Sequence, residues 1–467
     1  MRKSAAFFLA LMIVTAWSGD SSAKRRFYPH QEYFDTYEGT QTCLFCHEEE
    51  ATSFFHSQHY QWLGDAPQVV NADDEKMGKM NTMNDFCTNP AASWIGNAVN
   101  SDGKIIAQGC SKCHAGLGKM PSPVLSDEQL ENIDCLICHA SGYRRDAYQD
   151  EDGNWDWKPI LWKNQRGLDS ISKRISLPKR KMCLRCHAGA GGGPNFKRGD
   201  LEYEMADCTP DFDVHMATEG NNMQCVDCHA GNDHRVRGRG TDLSGTDSPD
   251  NLLYCTSCHE DEPHNVPALD FHTKKVYCTV CHITEFAKAD QTDMKRDWST
   301  AKRHEEANKY SATITFGKDV KPVYAWYNGT TRVMKMGEKV EYNDDGTITM
   351  MDPQGKRKDK KSKIYAFKLH EGVLPVLKEE QWLIPLAVDE FFIDGDIVKA
   401  VNEGSASAYG NHHPDYEWVN TKRYMGIFHE VRPAENALQC LDCHSDGGRL
   451  NWKELGYKKD PILNAID

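Results

Sequence analysis

The chain has 467 residues, 39% of them hydrophobic, and a formal net charge of −14 from 69 acidic and 55 basic side chains. This acidity argues against nucleic acid as a partner, and so low an apolar fraction leaves a chain of this length short of material for a compact interior of its own. What the chain has in quantity is 18 cysteines and 20 histidines.

The first stretch, MRKSAAFFLALMIVTAWSGDSSAKRR, has a basic start at Arg2 and Lys3, an apolar run over residues 5–17 and small residues at 21–23. This pattern predicts a secretory signal peptide over residues 1–23, cleaved near Ala23. The apolar run is short for a membrane anchor, and no later stretch is apolar enough to span. The mature chain is expected to be a soluble protein of a Gram-negative periplasm.

Residues 24–298 hold seven copies of Cys-x-x-Cys-His: Cys43/Cys46/His47, Cys110/Cys113/His114, Cys135/Cys138/His139, Cys183/Cys186/His187, Cys225/Cys228/His229, Cys255/Cys258/His259 and Cys278/Cys281/His282. An eighth stands at Cys440/Cys443/His444. Two thiols one turn apart can add to the two vinyl groups of a haem, and the following histidine then lies under the iron. A zinc site would need a second ligand pair, and a thioredoxin-like site a βαβ setting. Eight covalently bound haem c groups are therefore expected, and an exported chain suits their attachment.

The motifs are expected on first turns of short helices or in loops, separated by Gly- and Pro-rich connectors such as 189–194 and 238–249. Over residues 299–400 the text changes. Segments 313–316 (TITF) and 347–350 (TITM) alternate as strands do, with turn signals at Asn328-Gly329 and Asp345-Gly346. A small β-containing insert without a haem motif is expected there, and residues 401–467 return to the array with the last motif. The basic run at 356–361 reads as a solvated loop. The fold class expected is a mainly α and irregular multihaem cytochrome c, with the haem array as core.

Each iron needs a sixth ligand unless the position is open for chemistry. Twelve histidines lie outside the motifs. Expected as ligands are His30, His59 (with His56 as competitor one turn away), His215, His234, His264, His272, His370 and His429; His304, His412 and His413 are expected at the surface. Two cysteines remain, Cys87 and Cys208. They form a disulfide, which an exported protein permits, or Cys87 is a free thiol able to exchange with a sulfur–sulfur bond of a substrate. A neutral lysine can also ligate iron, with burial and ferric charge lowering its pKa. Lys173, Lys179 and Lys181 crowd the fourth motif, although a solvated side chain is the ordinary state of any one of them.

Several segments resemble the octahaem tetrathionate reductase family: NDFC (84–87), CSKCHAGLG (110–118), CHAGAGGG through KRGDL (186–201), DVHM (213–216), CTVCHI (278–283), DWST (297–300), SKIYAFKLH (362–370) and FHEVRPAENALQCLDCHS (428–445). The resemblance covers nearly the whole mature chain. It implies a packed octahaem array with one lysine-ligated catalytic haem beside a cavity, and a cysteine nearby. Carried over, that haem is the one at Cys110/Cys113/His114, the cysteine is Cys87, and the lysine is Lys173, with Lys179 and Lys181 as fallbacks. Octahaem nitrite reductases replace one motif histidine by lysine, whereas all eight motifs here end in His. Hydroxylamine oxidoreductases use a tyrosine near a long C-terminal helix, whereas this chain has only a short tail with Tyr457.

The expected function is that of a periplasmic oxidoreductase. Electrons come from a redox partner protein or quinol-linked donor and reduce a small oxyanion, tetrathionate to thiosulfate, with nitrite and hydroxylamine as further substrates. The alternative is a non-catalytic electron-transfer protein with all eight haems six-coordinate. No motif demands a bound calcium.

Overall fold

The computed structural model describes residues 30–73, 75–86, 94, 98–99, 105–107, 109–153, 155–160, 167–238, 252–304 and 309–464. The expected signal peptide and Cys87 lie outside the described residues, and with Cys87 the question of its disulfide to Cys208.

Up to residue 283 the chain forms short pieces, and the motifs explain why. In six of them the motif histidine donates its backbone N–H to the carbonyl of its first cysteine, as His139 to Cys135 at 3.1 Å and His229 to Cys225 at 2.7 Å. One helical turn is thereby closed, and both sulfurs and the imidazole project from it. The motif at Cys43 sits in α1 (Thr40–Phe55), which leaves helical geometry at His47. The motif at Cys183 ends α2 (Arg180–His187). In the sequences QCVDCH and QCLDCH an aspartate closes the turn's N-terminus, Gln224 and Gln439 each donating their N–H at 2.7 Å to Asp227 and Asp442.

A seven-stranded sheet follows. Its strands are β1 (Thr292–His304), β2 (Lys309–Gly317), β3 (Val323–Tyr327), β4 (Thr331–Val333), β5 (Ile348–Pro353), β6 (Lys363–Leu377) and β7 (Tyr416–Gly426). The order is β2-β1-β6-β7-β5-β4, with β3 also pairing β6. β6 runs parallel to β1 and antiparallel to β7, with His370 opposite Arg423. The fold is thus less helical than expected. The sheet also draws on residues either side of 299–400, because β1 begins at Thr292 and β7 lies at Tyr416–Gly426. The central strand β6 is buried along nearly its whole length, so its sequence, KIYAFKLHEGVLPVL, lacks the alternation of a half-exposed strand.

The largest apolar cluster lies between this sheet and two helices, α3 (Val388–Asp394) and α4 (Ile397–Tyr409). It includes Trp298, Leu374, Val376, Leu383, Phe391 and Val401. Asp396 caps α4, accepting from Val398 N and Lys399 N, and Gly410 ends it in the left-handed conformation. Gly404 lies on the buried face of α4, where a Cβ would come 1.8 Å from the Pro385 carbonyl oxygen. Gly404→Ala should therefore push α4 off its support and cost about 1–3 kcal/mol, measured as a lowered denaturation midpoint with the native circular dichroism spectrum retained.

Candidate functional site

The motif-bearing half encloses a cavity of about 4070 Å³ lined by the cysteines and histidines of seven motifs. Shared among seven, that is about 580 Å³ each, the size of a site for one cofactor-sized molecule. The histidines face each other across it in pairs. A metal held by two imidazole nitrogens at about 2 Å each sets the ring centroids roughly 6 Å apart. The centroids of His30 and His47 are 6.0 Å apart, His59 and His187 6.2 Å, and His139 and His234 6.3 Å. His215 and His259 are 6.1 Å apart, His229 and His429 6.1 Å, His264 and His282 6.3 Å, and His272 and His444 6.0 Å.

In six of these histidines the outer nitrogen is anchored, which turns Nε2 inward. Backbone carbonyls take Nδ1 of His139 (Ser176, 3.0 Å), His229 (Arg237, 2.8 Å) and His272 (Ala268, 2.7 Å). Carboxylates take Nδ1 of His264 (Asp270, 3.0 Å), His429 (Asp200, 3.2 Å) and His444 (Asp460, 2.7 Å). Metal-ligating histidines are oriented in this way. Burial lowers the pKa of His59, His139, His215, His229, His234 and His282, and takes His187 down to about 3. Neutral imidazole is the form that ligates metal. For His429 burial acts in the same direction, but the Asp200 carboxylate outweighs it and raises the pKa.

His114 differs. Its Nδ1 is anchored like the others, 3.3 Å from the Tyr60 carbonyl, and burial with the nearby charge of Lys79 takes its pKa down to about 4. Its ring neighbours are indoles: Trp94 at 5.7 Å and Trp62 at 6.1 Å. No described histidine stacks on or faces its ring. Arg145 holds this motif together, donating to the carbonyls of Ser111, Lys112, His114 and Gly116. It also pairs with buried Asp134 at 2.9 Å and covers the Trp157 ring at 4.7 Å.

The motifs meet through their cysteines. The thiols of Cys43 and Cys135, Cys113 and Cys186, Cys183 and Cys225, and Cys255 and Cys278 lie within hydrogen-bonding reach. Cys138 neighbours Cys186, Cys228 neighbours Cys258, and Cys281 neighbours Cys440. In chain numbering the motifs form a row 1-3-4-5-6-7-8, with the second branching off at the fourth.

Two expected residues lie elsewhere. His370 faces no motif histidine; it is fully buried in the sheet, its Nδ1 2.5 Å from Asp85 and its Nε2 3.1 Å from Asp293, so both nitrogens are engaged by carboxylates. Lys173 stands on the His30 side, where its carbonyl accepts the His30 N–H and its Nζ donates to the Asp35 carbonyl at 2.9 Å. Lys179 precedes α2 as its N-cap and Lys181 is exposed. The lysine whose charge reaches both His114 and Cys113 is Lys79, which nothing in its surroundings, MGKM, marks out. Trp62, Trp94 and Arg145 were likewise without a sequence signal. His56, His412 and His413 are exposed, and Cys208 is buried.

Residues 283–447 match the family model for bacterial cytochrome c. An uncharacterised protein of Archaeoglobus fulgidus is 34% identical over 230 residues, which are 42% of this chain and 75% of that protein. The crystal structure of octaheme cytochrome c from Shewanella oneidensis matches with a TM-score of 0.75 at 29% identity, over 94% of this chain and 99% of that one.

Arg145→Met would leave the Asp134 carboxylate buried without its partner. The expected cost is about 3–5 kcal/mol, read as a fall in denaturation midpoint, with Arg145→Lys falling between the variant and the native chain.

Proposed function

The chain belongs to the family of the Archaeoglobus fulgidus protein and is a multihaem cytochrome c, and on that premise we propose that it is an octahaem reductase whose reaction takes place on the side of His114 facing Trp62 and Trp94. The observation that carries this reading is that His114 is anchored as His139 and His229 are, yet the aromatic neighbours of its ring are two indoles and no described histidine faces it. Seven haems would be held between His30/His47, His59/His187, His139/His234, His215/His259, His229/His429, His264/His282 and His272/His444, and the eighth by His114 with Cys110 and Cys113. When bound, such groups supply one-electron carriers and, where a coordination position is open, a Lewis-acidic iron.

The chain's own residues do the rest. The Nδ1 anchors fix the imidazoles before any metal arrives. Lys79, Lys112 and Arg145 put positive charge around Cys113 and would draw in a small anion. Lys79, and not Lys173, is the lysine whose charge would act on His114. Trp62 and Trp94, 4.7 Å apart, would wall the pocket and keep water from it. Cys87, on the segment running from Asp85 to Trp94, would contribute a thiol for exchange with a sulfur–sulfur bond.

The reaction that fits the resemblance is reduction of tetrathionate, which takes two electrons and releases two thiosulfates as the central S–S bond breaks. Nitrite and hydroxylamine are further candidates of the same size. Export through the segment at residues 1–23 to the periplasm, and delivery of electrons by a redox protein or quinol-linked donor, complete the reading. Among the described residues no helix is long and apolar enough to cross a membrane.

Protein-film voltammetry of the holoprotein tests it: tetrathionate, nitrite or hydroxylamine should give a catalytic reductive current. Reversible haem signals with no catalytic current for any of the three would contradict it and leave an electron-transfer protein. Lys79→Met should lower kcat/KM for tetrathionate about fivefold, the worth of about 1 kcal/mol of attraction in a wet site, and added salt should shrink the difference.

A further inference from the structure

The basic run KRKDKK at 356–361 lies in the loop that joins β5 to β6, and its cations, Lys356, Arg357, Lys358, Lys360 and Lys361, are all exposed. Its one acid is turned inward: the Asp359 carboxylate accepts from Ser362 Oγ at 2.8 Å and from the Lys361 N–H at 2.9 Å. The loop is held from two sides. Lys275 donates to the Asp359 carbonyl at 2.7 Å, and Arg357 lies 4.9 Å over the ring of Tyr457. Each side adds cations of its own. Exposed Lys453, Lys458 and Lys459 flank Tyr457, and exposed Lys274 stands next to Lys275, 5.7 Å over the ring of Phe271. That ring is itself 70% exposed. In a chain of net charge −14, positive charge is thus gathered in one place around an apolar side chain.

Behind this surface stands one end of the row of motifs. The ring of His444 stacks on Trp452 at 5.2 Å, Trp452 meets Tyr457 edge-on at 5.6 Å, and Tyr457 carries Arg357. A short series of ring contacts therefore leads from the histidine of the eighth motif to the basic loop. His272, which faces His444, follows Phe271 in the chain. Asp460, the acid after Lys458 and Lys459, is engaged by His444 Nδ1 at 2.7 Å, which leaves Glu454 as the acid that the tail shows to solvent. The other end of the row, at Cys43, has the opposite sign: exposed Glu48, Glu49 and Glu50 follow its motif. A lysine-rich run is ordinarily a solvated loop, but that reading gives no reason for its place over the last motif. Complementary charge steers redox proteins to one site and sets how fast they meet.

We propose that the surface formed by the 356–361 loop, Lys274, Phe271 and the tail around Tyr457 is the docking site of an acidic electron-transfer protein, and that electrons enter the chain between His272 and His444. The partner is one that carries carboxylates around its own redox centre. The inference rests on the haem placement of the proposed function and on no particular substrate. In each encounter one electron passes from the reduced partner to ferric iron, leaving the partner oxidised and the iron ferrous, and no bond or proton moves. The contact is small, polar and short-lived, as the repeated loading of a row of carriers requires.

Stopped-flow reduction of the oxidised holoprotein tests this, with reduced plant-type ferredoxin as the acidic donor and photoreduced riboflavin as a small donor that needs no docking face. The variant is Lys358→Glu with Lys361→Glu, which leaves Arg357 on its ring. The control is Lys318→Glu with Lys321→Glu, the same change of charge at exposed positions between β2 and β3. At low salt the loop variant should lose about tenfold or more in its second-order rate with ferredoxin. It should keep its rate with riboflavin and converge on the native chain as salt screens the charges. The control should stay close to native. No loss in the loop variant, an equal loss in the control, or a native rate with ferredoxin that does not fall as salt is raised would each overturn the docking site. Vesicles of phosphatidylcholine and phosphatidylglycerol probe the other use of such a surface. Capture of the native chain that the loop variant loses, with its ferredoxin rate unchanged, would make the surface a membrane contact and overturn the proposal. The absence of catalytic current in film voltammetry would remove the reductase reading and leave the docking site standing.

Discussion

Everything in the motif-bearing half depends on holding two imidazoles about 6 Å apart with their inner nitrogens free. A histidine ring left to itself would turn its nitrogens toward water or a carbonyl. Here the outer nitrogen is tied first, to a carbonyl at His139 and His229 or to a carboxylate at His264, His429 and His444. The tether sets which nitrogen carries the proton and which way the ring faces. The short helical turns, the loops that carry the second histidine of each pair and the connectors between motifs are arranged to meet that one requirement.

The chain divides its labour accordingly. The half with the motifs has small apolar clusters around a large cavity, and its interior is completed by what the cysteines bind. The sheet with α3 and α4 has the extended apolar core. It also packs against the other half: β6 and β7 bring Lys368, His370 and Arg423 against Asp85 and Phe86.

The eight motifs were plain in the sequence because covalent attachment dictates an invariant local spacing. The pairings were not, and the reason is geometric. His59 follows the first motif in the chain but faces His187 of the fourth, and His234 follows the fifth but faces His139 of the third. His264 and His272 both follow the sixth motif but face His282 of the seventh and His444 of the eighth. A chain leaving one side of a flat group cannot readily return to its other side within a few residues, so the histidine that follows a motif serves a different one. His370 was expected as a ligand because the irons call for sixth ligands among the spare histidines, yet long-range pairing puts carboxylates at both its nitrogens. Lys173 was carried over from the resemblance and stands beside His30. Trp62, Trp94 and Lys79 gather around His114 only through tertiary structure, so no spacing marks them. The central strands of the sheet were under-read because burial on both faces erases alternation.

The most direct test of this account is near-infrared magnetic circular dichroism of the oxidised holoprotein, recorded with and without azide. The account predicts that seven-eighths of the haem intensity has the bis-histidine signature and is unmoved by azide, while the remaining eighth lacks that signature and responds. Eight bis-histidine haems, all indifferent to azide, would contradict it, because His114 would then have a histidine partner and the open site on which the reading depends would not exist.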